Sequence, residues 1–293
     1  MDNEAHKIPK INKNKLGDVL KKIKVFDIKN SDVFLIGYMK SGTTWAQEMI
    51  WLIVNNLDYE GAKTFVDERV PILELSGYYG DDAAELEVPE FYWNSLEFVK
   101  NMKDPRCIKT HLTWELLPKE ILQKTKKPKI IYIARNPKDV CLSSYHYLKT
   151  LLNRINCTFE EYCDFFLKGH IFADDRCVSY WKEVLHFWEC RNDPNVLFIK
   201  YEDMKQNLPI VIRNVAQFLG KSMSDDDVSY LGKRLDFETM RKNAAVNHEG
   251  SYNKSGFMRA GTVGGHKDVM SDEIIKKFDS WIEENLRGTD YQL

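Results

Sequence analysis

Residues 32–56 read DVFLIGYMKSGTTWAQEMIWLIVNN, and this stretch decides the fold class. Asp32 to Gly37 is a short apolar, β-rich run of the kind found in parallel strands buried on both faces. Further on, Trp45, Met49, Leu52 and Ile53 recur at helical spacing. Gly37 and Gly42 stand between these segments with four residues separating them. In such a strand–loop–helix, backbone N–H groups and the helix N-terminus point at an anion, and Gly42 allows close approach. Taken alone the loop stays open between a phosphate cradle and an ordinary strand-to-helix turn, because loose matches to this glycine spacing are common. A P-loop NTPase would follow the second glycine with Lys and Ser/Thr. Here Thr43 and Thr44 follow, and the lysine is Lys40, two residues before Gly42. No Walker-B aspartate is evident either, since the run KIIYIA is followed by Arg135, not Asp.

Working outward, Lys129 to Ala134 (KIIYIA) and Asn195 to Tyr201 (NVLFIKY) read as further buried parallel strands, with Arg106 to Thr110 a weaker one. After KIIYIA, Asn136 and Pro137 supply an N-cap and a first-turn proline. Helices are expected over Phe159 to Lys168, Asp174 to Cys190, Ile210 to Leu219 and Ser224 to Leu235, with a last one opened by Ser271 ahead of Asp272 and Glu273. The recurring strand–loop–helix unit implies an α/β fold, a central mainly parallel sheet with helices on both faces. The long stretch from Asn243 to Gly265 exceeds a simple connector and is expected to act as a lid.

The chain has 293 residues, 43% of them hydrophobic, enough for one large α/β domain. No repeat or linker divides it, so a single domain is expected over residues 16–293 after a loosely ordered N-terminus, 1–15. Lysine and arginine number 42 against 44 acids, a net charge of −2 that gives no global reason to expect nucleic acid or an anionic membrane surface. The opening MDNEAHKIPKINKNK lacks an apolar core, and no run approaches a membrane span, so a soluble cytoplasmic protein is expected. Cys107, Cys141, Cys157, Cys163, Cys177 and Cys190 form no CxxC pair and read as buried thiols in a reducing compartment.

The string YMKSGTTW (38–45) resembles the YPKSGTTW segment of cytosolic sulfotransferases. The resemblance continues through KTHL (109–112), RNPKDVCLSSYH (135–146), YEDM (201–204) and FMRAG (257–261), in the family's order along almost the whole chain. It implies a P-loop-like sulfotransferase fold, 3′-phosphoadenylyl sulfate (PAPS) as sulfuryl donor, PAP as product, and no metal. The donor carries a 5′-phosphosulfate and a 3′-phosphate, so two anion sites are needed. By the resemblance, Lys40, Ser41, Gly42, Thr43, Thr44 and Trp45 wrap the 5′-phosphate, with Trp45 also on the adenine side. Arg135, Ser143 and Arg259 bind the 3′-phosphate, and an arginine fork suits that task. Tyr201, Leu235, Phe237 and Met240 fall near the adenine, and Phe257, Met258, Ala260 and Gly261 complete the nucleotide site. His111 matches the base that takes the acceptor's proton, Lys40 the stabiliser of the leaving phosphate, and Lys109 a contact to the transferring sulfuryl oxygens.

The chain also departs from the family pattern. Met39 replaces a proline, Ala260 a lysine, and Gly265 with His266 stand where Asp and Trp are frequent. Leu235 and Asp236 replace Thr and Ser, and an acid at 236 would repel phosphate unless it faces away. Of the family's C-terminal dimer motif only Lys267 remains, leaving monomer or homodimer open. Ile72, Leu75, Tyr145, Tyr147 and Phe257 are the expected lining for a small, largely apolar acceptor, such as a phenol, a steroid, a retinoid-like alcohol or an amine; residues 81–95 are variable territory. Two rivals are weighed: a P-loop kinase, opposed by the missing lysine after Gly42, and a PAP-binding scaffold without turnover, opposed by retention of Lys40, Lys109, His111, Arg135 and Ser143.

Overall fold

The computed structural model describes residues 13–79, 88–170, 179–247 and 257–293. Four parallel strands form one sheet in the order β2-β1-β3-β4, with β1 at Val33–Ile36, β2 at Cys107–Thr110, β3 at Lys129–Ala134 and β4 at Val196–Lys200. The weaker strand candidate is therefore an edge strand, in register with Leu35 opposite Lys109 and Ile36 opposite Thr110. Side chains alternate across the sheet. Phe34, Ile36, Ile130 and Tyr132 face one core, while Val33, Leu35, Ile131 and Ile133 face the other. The first core is closed by helices α1 (Lys13–Ile23), α3 (Pro137–His146), α4 (Phe159–Leu167), α5 (Tyr180–Glu189) and α8 (Asp272–Leu286). The second is closed by α2 (Thr43–Val54), α6 (Leu208–Phe218) and α7 (Asp225–Arg234). Helices thus cover both faces, as the strand pattern implied.

The helix starts follow local chemistry. Asn136 accepts from the Lys138 N–H ahead of α3, Thr158 and Ser224 close capping boxes on α4 and α7, and Ser271 caps α8. Helix α6 starts two residues earlier than the periodicity suggested, because Asn207 caps it and Pro209 sits in its first turn. Tyr201 is not the end of a strand; it opens a short helix, Tyr201–Gln206, directly after β4. Of the expected loose N-terminus, 1–12 lie outside the described residues, and 13–15 belong to α1. Residues 174–178 of the expected helix, 81–87 of the variable segment and 248–256 of the expected lid also lie outside the described residues.

The lower edge of the sheet is pinned by a buried pair. Arg106 donates from Nε and Nη2 to both carboxylate oxygens of Asp32 at 2.8 and 2.6 Å, and neither side chain is more than 1% exposed. Among the described cysteines Cys107, Cys141 and Cys163 are buried thiols, whereas Cys157 and Cys190 are only half-buried. No described helix is long and apolar enough to cross a membrane.

Candidate active site

The loops after β1, β2 and β3 open at the same edge of the sheet, the upper end where parallel α/β folds bind ligands. After β1 the chain turns through two left-handed residues, Lys40 at φ 68° and Gly42 at φ 99°. A Cβ on Gly42 would stand 2.5 Å from the Tyr201 ring, so glycine is required by both conformation and space. The turn aims the start of α2 at the loop's hollow, where its first N–H groups lack intrahelical acceptors. Ser41 Oγ is fully buried there with no hydrogen-bond partner. An orphaned hydroxyl beside free amides fits a phosphate oxygen.

His111 follows β2, and its ring Nδ1 lies 2.6 Å from the Gly37 carbonyl. A carbonyl only accepts, so Nδ1 carries the hydrogen and Nε2 the lone pair. Glu74, buried and with its carboxyl raised by that burial, accepts from the His111 N–H at 2.8 Å and from Thr110 Oγ1 at 2.7 Å, fixing the backbone beneath the ring. Burial, followed by the nearby Lys109 ammonium and, more weakly, Lys40, pushes the His111 pKa down to about 3. The imidazole is therefore neutral over the physiological range.

Four cations converge on the same space. The Lys40 Nζ lies 3.3 Å from the centroid of Phe257 and 4.5 Å from that of Tyr147. Burial first, then Lys109, Arg135 and Arg259, hold its pKa well below the ordinary lysine value. Lys109 Nζ donates to Gln47 Oε1 at 3.0 Å, and its pKa too is lowered by burial, with Asp67 and Glu74 opposing. Arg135 donates to the carbonyls of Lys40 (3.2 Å) and Thr262 (3.0 Å) and stacks 4.2 Å over the Tyr201 ring, while its Nε is buried without a partner. Clustered, partly desolvated cations are unfavourable until an anion joins them, so this set fits a ligand with more than one acidic group.

Ser143, half-buried on α3, lines the same cavity as Arg135 and Arg259. Asp139, one turn earlier, accepts from the N–H groups of Gly264 (2.7 Å) and His266 (3.1 Å) and from His266 Nδ1 (2.8 Å), tying the end of the 257–266 segment to α3. The histidine at the departing position thus has a structural partner. Trp45 Nε1 donates to the Leu235 carbonyl at 2.9 Å, and its ring meets Tyr201 edge-on at 5.5 Å. Asp236 does face away: its carboxylate caps the short helix Phe237–Arg241, accepting from Glu238 and Thr239 N–H. Phe237 packs against Gly261, where a Cβ would fall 2.1 Å from the ring. Met240 is almost fully buried yet reaches the cavity wall, together with Met258 and Ala260.

One cavity of about 510 Å³ joins the nucleotide end to an apolar end lined by Ile72, Leu75, Tyr78, Tyr79, Tyr92 and Tyr147. Ile72 is brought there by a parallel bridge to Lys109 that extends the sheet edge. One expected lining residue is corrected. Tyr145 is not on the wall; its ring packs on Phe159 and Tyr162, and its hydroxyl donates to the Cys157 carbonyl. Sequence reasoning missed Tyr78, Tyr79, Tyr92 and the cavity-lining Asp67 and His146. The only available signal was the aromatic density of GYYG just before the variable stretch and of EFYW within it. Tyr147 begins a turn of π-helix, Tyr147–Leu151, which lets residues 147 and 148 both reach the cavity. No group of three His, Cys, Asp or Glu among the described residues is set to hold a metal.

Comparison with known proteins matches residues 30–290 to the sulfotransferase domain model. The luciferin sulfotransferase of Photinus pyralis is 40% identical over 284 residues, 92% of this chain and 75% of that protein. Sulfotransferase 1B1 of Mus musculus is 33% identical over 276 residues, covering 92% and 87%. Among solved structures, retinol dehydratase in complexes with PAP and either retinol or androsterone superposes with a TM-score of 0.83 at 31% identity, covering 96% of this chain and 88% of the other.

Proposed function

The chain belongs to the sulfotransferase family and is a PAPS-dependent sulfotransferase, and on that premise we propose that it sulfates a hydroxyl or amine of a small, largely apolar acceptor with His111 as base. The observation that carries this reading is the 2.6 Å bond between His111 Nδ1 and the Gly37 carbonyl. It fixes the imidazole against the phosphate loop with Nε2 left as the acceptor of a proton.

PAPS supplies a sulfuryl group already activated on a phosphate. The Ser41 hydroxyl, the amides of Gly42 to Thr44 and the Lys40 ammonium hold the 5′ end. Arg135, Ser143 and Arg259 hold the 3′-phosphate, and Trp45, Tyr201 and Phe237 flank the base. His111 Nε2 takes the acceptor's proton as the acceptor oxygen or nitrogen bonds to sulfur and the bond from sulfur to the bridging oxygen breaks. Lys109 neutralises the sulfuryl oxygens, and Lys40 stabilises the charge growing on the departing phosphate. In this scheme lysines meet the developing charge and no metal is required.

The apolar end, walled by Ile72, Leu75 and several tyrosines, supports a flat or elongated acceptor with one nucleophilic group. Relatives named for luciferin or crystallised with retinol and androsterone support the same class. The test is sulfuryl transfer from labelled PAPS to a panel of phenols, steroids, retinoid-like alcohols and amines, with and without EDTA. Metal-independent transfer is expected. Metal-dependent phosphorylation from ATP, or PAP binding with no turnover on any acceptor, would overturn the reading.

A further inference from the structure

We infer that Gln47 is a positioning residue for Lys109, holding its ammonium at the cavity wall through an amide whose direction is fixed by Asp67 and the Val70 carbonyl. The inference rests on the reading above that Lys109 acts on the sulfuryl oxygens. Gln47 lies in α2, one turn beyond the phosphate loop, with its side chain completely buried. Its Nε2 donates to Asp67 Oδ1 at 3.1 Å and to the Val70 carbonyl at 3.0 Å, and its Oε1 accepts from Lys109 Nζ at 3.0 Å.

Only one orientation of this amide is compatible with its neighbours. Turned over, the carbonyl oxygen would face two acceptors and the NH2 group would face an ammonium, so all three contacts would become repulsive. The oxygen is thereby aimed at Lys109 by the Asp67 carboxylate and the Val70 carbonyl, which hold the NH2 group. A polar side chain among Ala46, Met49 and Ile50 on a core-facing helix is costly unless fully bonded. Here each of its functions is used.

The chemistry of the partner matters as much as its position. A carboxylate beside Lys109 would bind the ammonium as an ion pair and offset the charge needed by the sulfuryl oxygens. A neutral carbonyl occupies one of the three N–H donors and leaves the charge intact. Asp67 accepts from the Gln47 amide, and its field favours the protonated lysine against the cost of burial. Asp67 and Lys109 both line the cavity, so the relay runs along its wall.

The test is a double-mutant cycle in the full chain between Gln47→Met, which keeps shape and removes the acceptor, and Lys109→Met. Gln47→Met is expected to lower kcat about tenfold, the scale of a lost hydrogen bond to a charged group, with PAP affinity and the KM for PAPS within about twofold. With Lys109 already replaced, the same substitution is expected to change kcat less than about twofold. Equal loss in both backgrounds, as a merely structural role would give, or unchanged kcat in the wild-type background, overturns the inference alone. Wild-type kcat in Lys109→Met overturns the role of Lys109 itself, and the inference with it. Should Gln47→Met not fold, Gln47→Asn, which withdraws the amide by one methylene, is read in the same cycle with the same outcomes.

Discussion

His111 is held neutral by its surroundings, and this can be tested directly by titration. Burial and the neighbouring lysines bring its pKa to about 3 in the cofactor-free enzyme, against about 6.5 for an ordinary histidine. At pH 5 a group of pKa 3 is about 1% protonated, whereas an unperturbed imidazole is about 97% protonated. Nitrogen-15 spectra of the enzyme, with His111→Asn identifying the resonances, should show a protonated Nδ1, a bare Nε2 and no movement from pH 8 to 5. The sign for stability follows. Below pH 6.5 the unfolded chain takes up a proton that the native ring refuses, so this contribution is complete above pH 6.5 and declines as pH falls towards 3. By pH 5 the loss reaches roughly 2 kcal/mol. A titration midpoint between 6 and 7, or a hydrogen on Nε2, would refute the electrostatic account and the tautomer together.

Other expectations concern single substitutions. His111→Ala should lower kcat by at least about 10²-fold while PAP affinity, measured by calorimetry, is largely kept; near wild-type turnover removes the ring from the mechanism. Lys40→Met should reduce kcat by a larger factor than it weakens PAP binding, since its partner charge develops in the transition state, and equal losses would contradict this. Gly42→Ala forces a Cβ to 2.5 Å from the Tyr201 ring at a φ of 99°, so thermal melts should show about 1–3 kcal/mol of destabilisation together with weaker PAP binding. Asp32→Ala strands the buried Arg106 guanidinium and should cost about 3–5 kcal/mol in denaturant unfolding, with the KM values of the folded enzyme unchanged.

Elements with strong local chemistry were legible in the sequence. DVFLIG and KIIYIA announced buried strands because both sheet faces are covered, so no polar alternation interrupts them. The caps at Asn136, Ser224 and Ser271 placed helix starts to within a residue. Less visible was everything decided by distant contacts. Tyr145 and Tyr147 are two residues apart in one aromatic-rich segment, yet the π-helical turn starting at Tyr147 puts only the second on the cavity wall. Gln47 looked like an unremarked helix residue, because Asp67, Val70 and Lys109 meet it only in three dimensions. For the same reason the orientation of Asp236 could not be read from its charge.

The strand order carries one more consequence. Because β2 and β3 flank β1 directly, the histidine arm and the arginine arm emerge two strand spacings apart, about 10 Å, with the glycine turn midway. That interval is set by backbone hydrogen bonding and is indifferent to side-chain identity. Evolution or design can therefore exchange the tyrosine-walled end for other shapes, admitting new acceptors, while the gauge between proton acceptor and nucleotide anchor stays constant.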